Sequence, residues 1–203
     1  MITIDELIKR DLYRDYRTYT DHDDLDWPTT FEPPVEVSDA NISLMMHYFG
    51  MVRNNSKAIL EIGVGNKNER SFTKLLLDNK LSLTKYFGID IKDKSDIDDV
   101  KNNSFTLTTD SSNIEEVLSF TKSHGVETFD FIFIDSSASI NQVLNDWRYI
   151  DYLSEDGIIA LHDTNFHPGP TELVNNLKAE RYEVYKKCEQ NTDWGITFVT
   201  KKL

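Results

Sequence analysis

Five short segments of the sequence end in residues that could do chemistry. "EIGVG" supplies Glu61, Gly63 and Gly65, "GID" ends on Asp90, and "TTDS" carries Asp110 and Ser111. "FDFIFID" ends on Asp135, and "ALHDTN" carries His162, Asp163, Thr164 and Asn165. Four successive segments that deliver an aspartate after a Gly-x-Gly turn point to one shared acidic site. The two glycines would let the main chain approach a ligand closely. The class of ligand follows by exclusion. A P-loop needs Gly-x-x-x-x-Gly-Lys-Ser/Thr, which the sequence lacks. A pyrophosphate cradle wants a third glycine for close helix packing, and Asn66, Lys67, Asn68 and Glu69 stand in that stretch. Acidic surroundings also oppose a polyanion. A ligand with a ribose and a positive charge but no phosphate fits better, with Asp90 accepting from both ribose hydroxyls.

Such residues need a scaffold that gathers strand ends. Short apolar runs occur at 58–62, 85–90, 104–109, 129–135 and 156–163, followed by 182–188 and 195–201. Helices are expected at 69–79, 112–124, 139–153 and 170–180, while the polar segment between Asp90 and Ser104 has the weakest helical pattern. Apolar strands alternating with amphipathic helices predict a parallel sheet covered on both faces. Only "EQNTDW" separates the last two strands, which predicts an antiparallel hairpin at the sheet edge. In open sheets of this kind ligands bind beyond the carboxyl ends of the strands, where the acids fall. Residues 1–57 read as an N-terminal extension with a polar helix at 4–19 and an acidic, proline-containing loop, "DHDDLDWPTTFEPPVEV". That acidic run lacks regular ligand spacing and reads as solvated spacer. A second helix follows, capped by Ser38, with Ile42, Met45, Met46 and Phe49 along one face.

The ordered set "EIGVG", "GID", "TTD" and "FDFIFID" resembles the motif series of class I S-adenosylmethionine-dependent methyltransferases, from Ala58 to the C-terminus. Within that class, "FDFIFID…YLSEDGIIALHDTNFHPG" is similar to the catechol-type and macrocin-type O-methyltransferases and their cephalosporin-hydroxylase-like relatives. The resemblance implies an α/β, Rossmann-like methyltransferase fold. Its sheet would be seven-stranded and mostly parallel, with a terminal antiparallel hairpin and helices on both faces. Residues 58–203 would bind S-adenosylmethionine, and 1–57 would cap the substrate. Glu61, Gly63 and Gly65 would line the methionine end, Asp90 would hold the ribose, and Asp110 and Ser111 would sit beside the adenine. Asp135 would close the cofactor site and, with Asp163, match the divalent-cation ligands of the metal-dependent subgroup. Thr164 falls where an Asn often stands, and Asn165 comes one step late as a third ligand. Hard oxygen donors suit Mg²⁺.

The implied reaction is methyl transfer to a hydroxyl of a small molecule. In-line displacement at a sulfonium depends on positioning, a bound Mg²⁺ would lower the acceptor's pKa, and a base would take the proton. Macrocin-type relatives carry a His shortly after the strand-four Asp, and catechol-type ones carry a Lys. In "DSSASIN" the serines Ser136, Ser137 and Ser139 and Ala138 fill that loop. His162 and His167 are then the local candidates for the base. His162, at a strand end, reads as structural, so His167 in "NFHPGP" is the preferred candidate. The stripped loop also supports a rival from another class, a catalytically silent methyltransferase-like binding module. A nicotinamide-dependent oxidoreductase is disfavoured by the absent third glycine and by the terminal hairpin.

Composition sets the outer bounds. At 203 residues the chain suits one domain with a sizeable core. Its 22 basic and 35 acidic side chains give a net charge of −13. That balance disfavours nonspecific binding to nucleic acid or to an anionic membrane. The single cysteine, Cys188, allows no internal disulfide and suits a reducing compartment. No apolar run approaches about 18 residues, and "MITIDELIKRDLYRDYR" lacks the apolar stretch of a signal peptide. A cytoplasmic protein is the expectation. Oligomeric state is open, with a homo-oligomer among the options.

Overall fold

Continuous apolar runs become strands, the central ones buried on both faces. The strands are β1 (Ala58–Ile62), β2 (Lys85–Asp90), β3 (Ser104–Thr108), β4 (Phe129–Ile134), β5 (Leu153–His162), β6 (Tyr182–Lys186) and β7 (Ile196–Lys201). The computed structural model describes residues 37–165, 167–186 and 194–202. The helix expected at 4–19, most of the acidic loop and Cys188 lie outside them. One seven-stranded sheet has the order β3-β2-β1-β4-β5-β7-β6. Strands β1 to β5 are parallel, and β7 runs antiparallel to both β5 and β6. The predicted sheet and its closing hairpin are both present. The chain reverses its direction of strand addition between β1 and β4, which makes the crevice there the place for a ligand.

Register brings the chemistry level. Ile62 pairs with Ile89 and with Ile134, and Ile134 pairs with Leu161. One residue further along, Gly63, Asp90, Asp135 and His162 therefore share one level at the carboxyl edge. Side chains alternate between faces along a strand. Ile59, Tyr86, Phe131, Phe133, Ile158 and Ala160 pack on one face with α1 (Asp39–Arg53) and α2 (Phe72–Asn79). Leu60, Ile62, Phe87, Ile89, Ile132, Ile134, Ile159 and Leu161 pack on the other with α3 (Ile114–Ser123), α4 (Ile140–Trp147) and α5 (Pro168–Asn176). Counting in twos places Glu61, Asp135 and His162 on the α1/α2 face.

Helix boundaries differ from the expected ones for local reasons. Ser71 caps α2 by accepting the Lys74 N–H at 3.0 Å, so the helix begins at Phe72 rather than at 69. Pro168 stands in the first turn of α5, where its fixed φ suits a helix start, so that helix begins before 170. Beyond α4 the chain tightens into a 3-10 turn over Arg148–Tyr152, which together with α4 fills the expected 139–153. The polar segment after β2 has no apolar stripe to bury and forms two 3-10 turns, Ser95–Ile97 and Val100–Asn102. Ser38 caps α1 as expected, accepting the Asn41 N–H at 3.0 Å. The buried face of α1 is Asn41, Met45, Tyr48 and Phe49, rotated from the predicted one, and Ile42 and Met46 are half-buried. Tyr48 stacks on Phe198 of β7 with ring centroids 4.2 Å apart. The boundary read at 57 thus falls after a helix that packs onto the sheet. Among the described residues no helix is long and apolar enough to cross a membrane.

Candidate functional site

The turn after β1 is shaped first by the sheet. Gly63 has φ +83° and donates its N–H to the Ile89 carbonyl at 2.9 Å, while Asp135 donates to the Ile62 carbonyl at 2.8 Å. A Cβ on Gly63 would lie 2.0 Å from the Asp135 carbonyl oxygen. Glycine is required here because the end of β4 passes against it. At Gly65 a Cβ would meet the Thr73 Oγ1 at 3.1 Å, and the Gly65 N–H donates to that oxygen at 2.7 Å. Asp90 braces the same turn, its Oδ2 accepting from the Val64 N–H at 2.9 Å and its Oδ1 from the Lys92 N–H at 2.8 Å. Ile91, beside it, leaves most of its side chain exposed as an apolar surface at the rim.

Glu61 lies under this turn, only 1% exposed. Thr73 Oγ1 donates to its Oε1 at 2.6 Å, and the Tyr86 hydroxyl donates to its Oε2. Burial pushes its pKa up to about 8, against the two hydroxyl donors that favour the carboxylate, and the nearby Asp135 charge adds to the rise. Glu61, Gly65, Glu69, Arg70, Thr73 and Asp135 line a cavity of about 160 Å³ on the α2 side of the turn. Of the three residues that the resemblance puts at the methionine end, Glu61 and Gly65 line this cavity and Gly63 forms the turn beside it.

On the β3 side, Asp110 accepts the Ser112 N–H at 2.8 Å, and the bonds from Ser112 hold its carboxyl below the usual range. Ser111 is buried and faces inward. Its hydroxyl donates to Asp146 Oδ1 at 2.6 Å and accepts from Gln142 Nε2 at 2.8 Å, and its carbonyl accepts from the Tyr149 hydroxyl at 2.7 Å. Ser136, just after Asp135, donates to the other oxygen of Asp146. Asp146 on α4 is fully buried and ties the loop after β3 to the loop after β4. Sequence reading missed it, because one acid in an amphipathic helix gives no sign that it points inward. The only signal was the cluster of serines with no other evident use.

The carboxyl of Asp146 is pushed up to about 6 by burial, with the donors from Ser111, Ser136 and Gln142 working against the rise. A raised pKa means that the folded state holds the proton more tightly than the unfolded chain. Stability from this group is fully present below the unfolded value near 4 and is lost as pH rises to about 6. The loss is about 3 kcal/mol at ~1.4 kcal/mol per pH unit. Urea unfolding of Asp146→Asn beside the parent should show this pH slope in the difference between the two. Equal slopes would place the Asp146 titration elsewhere.

At the ends of β4 and β5, Asp135, His162 and Asp163 converge. His162 Nδ1 lies 3.0 Å from Asp135 Oδ1 and 3.1 Å from Asp163 Oδ1. One oxygen or nitrogen from each of the three lies within 4.8 Å of the others. His162 is held in the sheet, as its strand-end position suggested, with its ring edge-on to Phe72 at 5.1 Å. Asp163 adopts φ +61°, an uncommon left-handed conformation for a residue with a side chain. Its carbonyl accepts the His167 N–H at 3.2 Å, and His167 Nε2 lies 3.9 Å from its Oδ2. His167 is neither in mid-loop nor in solvent. It stands just before α5, 5% exposed and stacked on Trp194 at 5.0 Å. The Thr164 hydroxyl meets that of Thr197 at 2.9 Å, at the base of the hairpin. Asn165 is tied through its N–H to the Trp194 carbonyl at 3.0 Å. Two carboxylates and an imidazole form a donor set that fits a divalent cation.

No family model and no curated protein matches the chain. Solved structures do. MycE, a methyltransferase of the mycinamycin biosynthetic pathway in complex with Mg, SAH and mycinamycin VI, is 19% identical with a TM-score of 0.59. That match covers 78% of this chain and 48% of MycE, so the chain spans about half of MycE's length. A putative rRNA methylase from Clostridium thermocellum is 13% identical with a TM-score of 0.60, over 85% of this chain and all of that one. SMU.1697c, a putative methyltransferase from Streptococcus mutans in complex with SAH, is 12% identical with a TM-score of 0.53, over 79% and 97% of the two chains. Together with the strand order, these likenesses establish the Rossmann-like fold of class I S-adenosylmethionine-dependent methyltransferases.

Proposed function

We propose that the protein transfers a methyl group from S-adenosylmethionine to a hydroxyl of a small molecule, with a divalent cation at Asp135 and Asp163. One observation carries the reading. At the switch point between β1 and β4, a turn packed by Gly63 is flanked by Asp90 and Asp135, lies over the buried Glu61 and opens onto a cavity. These acids suit a cationic nucleoside and repel a pyrophosphate. The start of α2, which a pyrophosphate would use, comes only at Phe72 and is capped by Ser71. Gly63, Gly65 and Glu61 would hold the methionine end, Asp90 the ribose, and Asp110 with the Ser111 backbone the adenine. Asn165 completes the cation site that the resemblance implies. S-adenosylmethionine bound there would supply an electrophilic methyl group to an acceptor oxygen. His167, beside Asp163, is the candidate base for the acceptor proton. The complex of MycE with Mg, SAH and mycinamycin VI supports the substrate class.

A second reading, the silent binding module, has one observation in its favour. Ser136 is turned to Asp146 and Ser139 caps α4, so the loop after Asp135 is used for structure. Calorimetry with SAH tests the cofactor site that both readings share. Asp90→Ala should lose ~1.5–3 kcal/mol of charge-assisted hydrogen bonding, about 10- to 150-fold in Kd. Unchanged affinity would sink the assignment. Labelled S-adenosylmethionine with a panel of hydroxylated small molecules then separates enzyme from module, since only the enzyme transfers label.

A further inference from the structure

We propose that His162 is itself a metal ligand, so that Asp135, His162 and Asp163 form a mixed nitrogen–oxygen centre selecting a cation such as Mn²⁺, Co²⁺ or Zn²⁺ over Mg²⁺. The idea deepens the methyl-transfer reading and rests on it for the use of the cation. The starting observation is a convergence of three ligand-type side chains from two strand ends. Two carboxylate oxygens from different strand ends lie 3.0 and 3.1 Å from one ring nitrogen. That nitrogen carries at most one hydrogen, which can lie in line with only one of them. A dication on the nitrogen lone pair would take all three atoms as ligands and neutralise both carboxylates. The spacing agrees, because bonds of about 2.1 Å at right angles separate neighbouring ligand atoms by about 3.0 Å.

The nitrogen is also held for the purpose. His162 is 2% exposed, is paired with Ile196 across the β5–β7 ladder, and is packed against Phe72 and Phe133. A ring fixed in that way presents the same atom to the centre at all times. His167 Nε2 lies 3.9 Å from the second oxygen of Asp163, beyond hydrogen-bond distance. Imidazole suits borderline transition metals, whereas Mg²⁺ prefers oxygen donors and retained water. Three protein ligands, or four with Asn165, leave coordination positions on a six-coordinate cation for water or an acceptor oxygen.

The decisive measurement is pulsed electron paramagnetic resonance on the full chain loaded with Mn²⁺. Directly bound imidazole should give ¹⁴N modulation, replaced by the ¹⁵N pattern in protein grown with ¹⁵N-histidine. The modulation should vanish in His162→Gln and survive in His167→Gln. In calorimetry the parent should bind Mn²⁺ at least tenfold more tightly than Mg²⁺, and His162→Glu should close that gap. The labelled parent and His167→Gln decide the question even where His162→Gln does not fold. Bound Mn²⁺ without nitrogen modulation, modulation that persists in His162→Gln, or no Mn²⁺ binding at millimolar concentration would each overturn the proposal. SAH calorimetry run in parallel keeps the two ideas apart. SAH binding without a nitrogen signal defeats the centre alone, and a nitrogen signal without SAH binding defeats the cofactor reading alone.

Discussion

Gly63→Ala is expected to destabilise the protein by about 2–5 kcal/mol, combining a left-handed residue that gains a Cβ with overpacking against backbone. The new methyl carbon would sit 2.0 Å from the Asp135 carbonyl oxygen, with the Asp135 carbonyl carbon and the Ser136 nitrogen within 2.8 Å. None of these atoms belongs to a side chain that can swing away. Asp135 is pinned by its own N–H on the Ile62 carbonyl, so relief requires parting the ends of β1 and β4. For a chain of this size the melting temperature should fall by roughly 5–20 °C. Gly65→Ala is the internal control. Its Cβ would meet only the side chains of Thr73 and Ser71, at 3.1 and 3.2 Å, and it should cost the smaller amount. Equal losses for the two variants, read by urea unfolding without ligand, would mean that the fit against β4 does not explain the glycine. A larger loss at 63 would show that this glycine serves the sheet before any ligand arrives.

The sheet was legible because its central strands are apolar on both faces and most are separated by helices with one apolar stripe. The hairpin was legible because only six polar or aromatic residues, "EQNTDW", separate the apolar runs at 182–188 and 195–201, too few for a crossover helix. The strand-end acids could be found for the same reason, since a parallel sheet aligns its carboxyl edges. Partnership inside the site was less accessible. Glu61 looks like any acid at the end of a strand, and its burial depends on Thr73 and Tyr86, which arrive from other elements. His162 was read as structural, which it is, but its parity with Glu61 and Asp135 already placed all three on one sheet face. Counting in twos along β1, β4 and β5 would have raised it from a packing residue to a neighbour of both carboxylates. Asp146 left no trace of that kind, because its role depends on two loops that only the folded sheet brings together.

The affinity for S-adenosylmethionine or SAH should rise with pH between about 6 and 8, by up to about tenfold per unit, and Glu61→Gln should abolish the rise. Glu61 is neutral over much of this range because burial holds its pKa at about 8. A ligand whose ammonium group enters the cavity beside Glu61 and Asp135 favours the ionised carboxylate. Binding below pH 8 must then expel a proton, and the work of removing it shrinks as pH rises. Stability without ligand should move the opposite way. A carboxyl raised from 4.5 to about 8 contributes stability that is fully present below 4.5 and lost as pH climbs through 8. The loss amounts to about 5 kcal/mol at ~1.4 kcal/mol per pH unit. Glu61→Gln should therefore stabilise the unliganded protein at pH 8 relative to the parent, with little gain near pH 4.5. Calorimetry in two buffers of different ionisation enthalpy reads the released proton directly, and thermal melts across the same pH range read the stability. Affinity that is flat from pH 6 to 8, or a slope that survives in Glu61→Gln, would remove Glu61 from the cofactor site. A rising affinity together with a falling unliganded stability, both lost in Glu61→Gln, is the outcome in which one buried carboxyl trades stability for charge recognition.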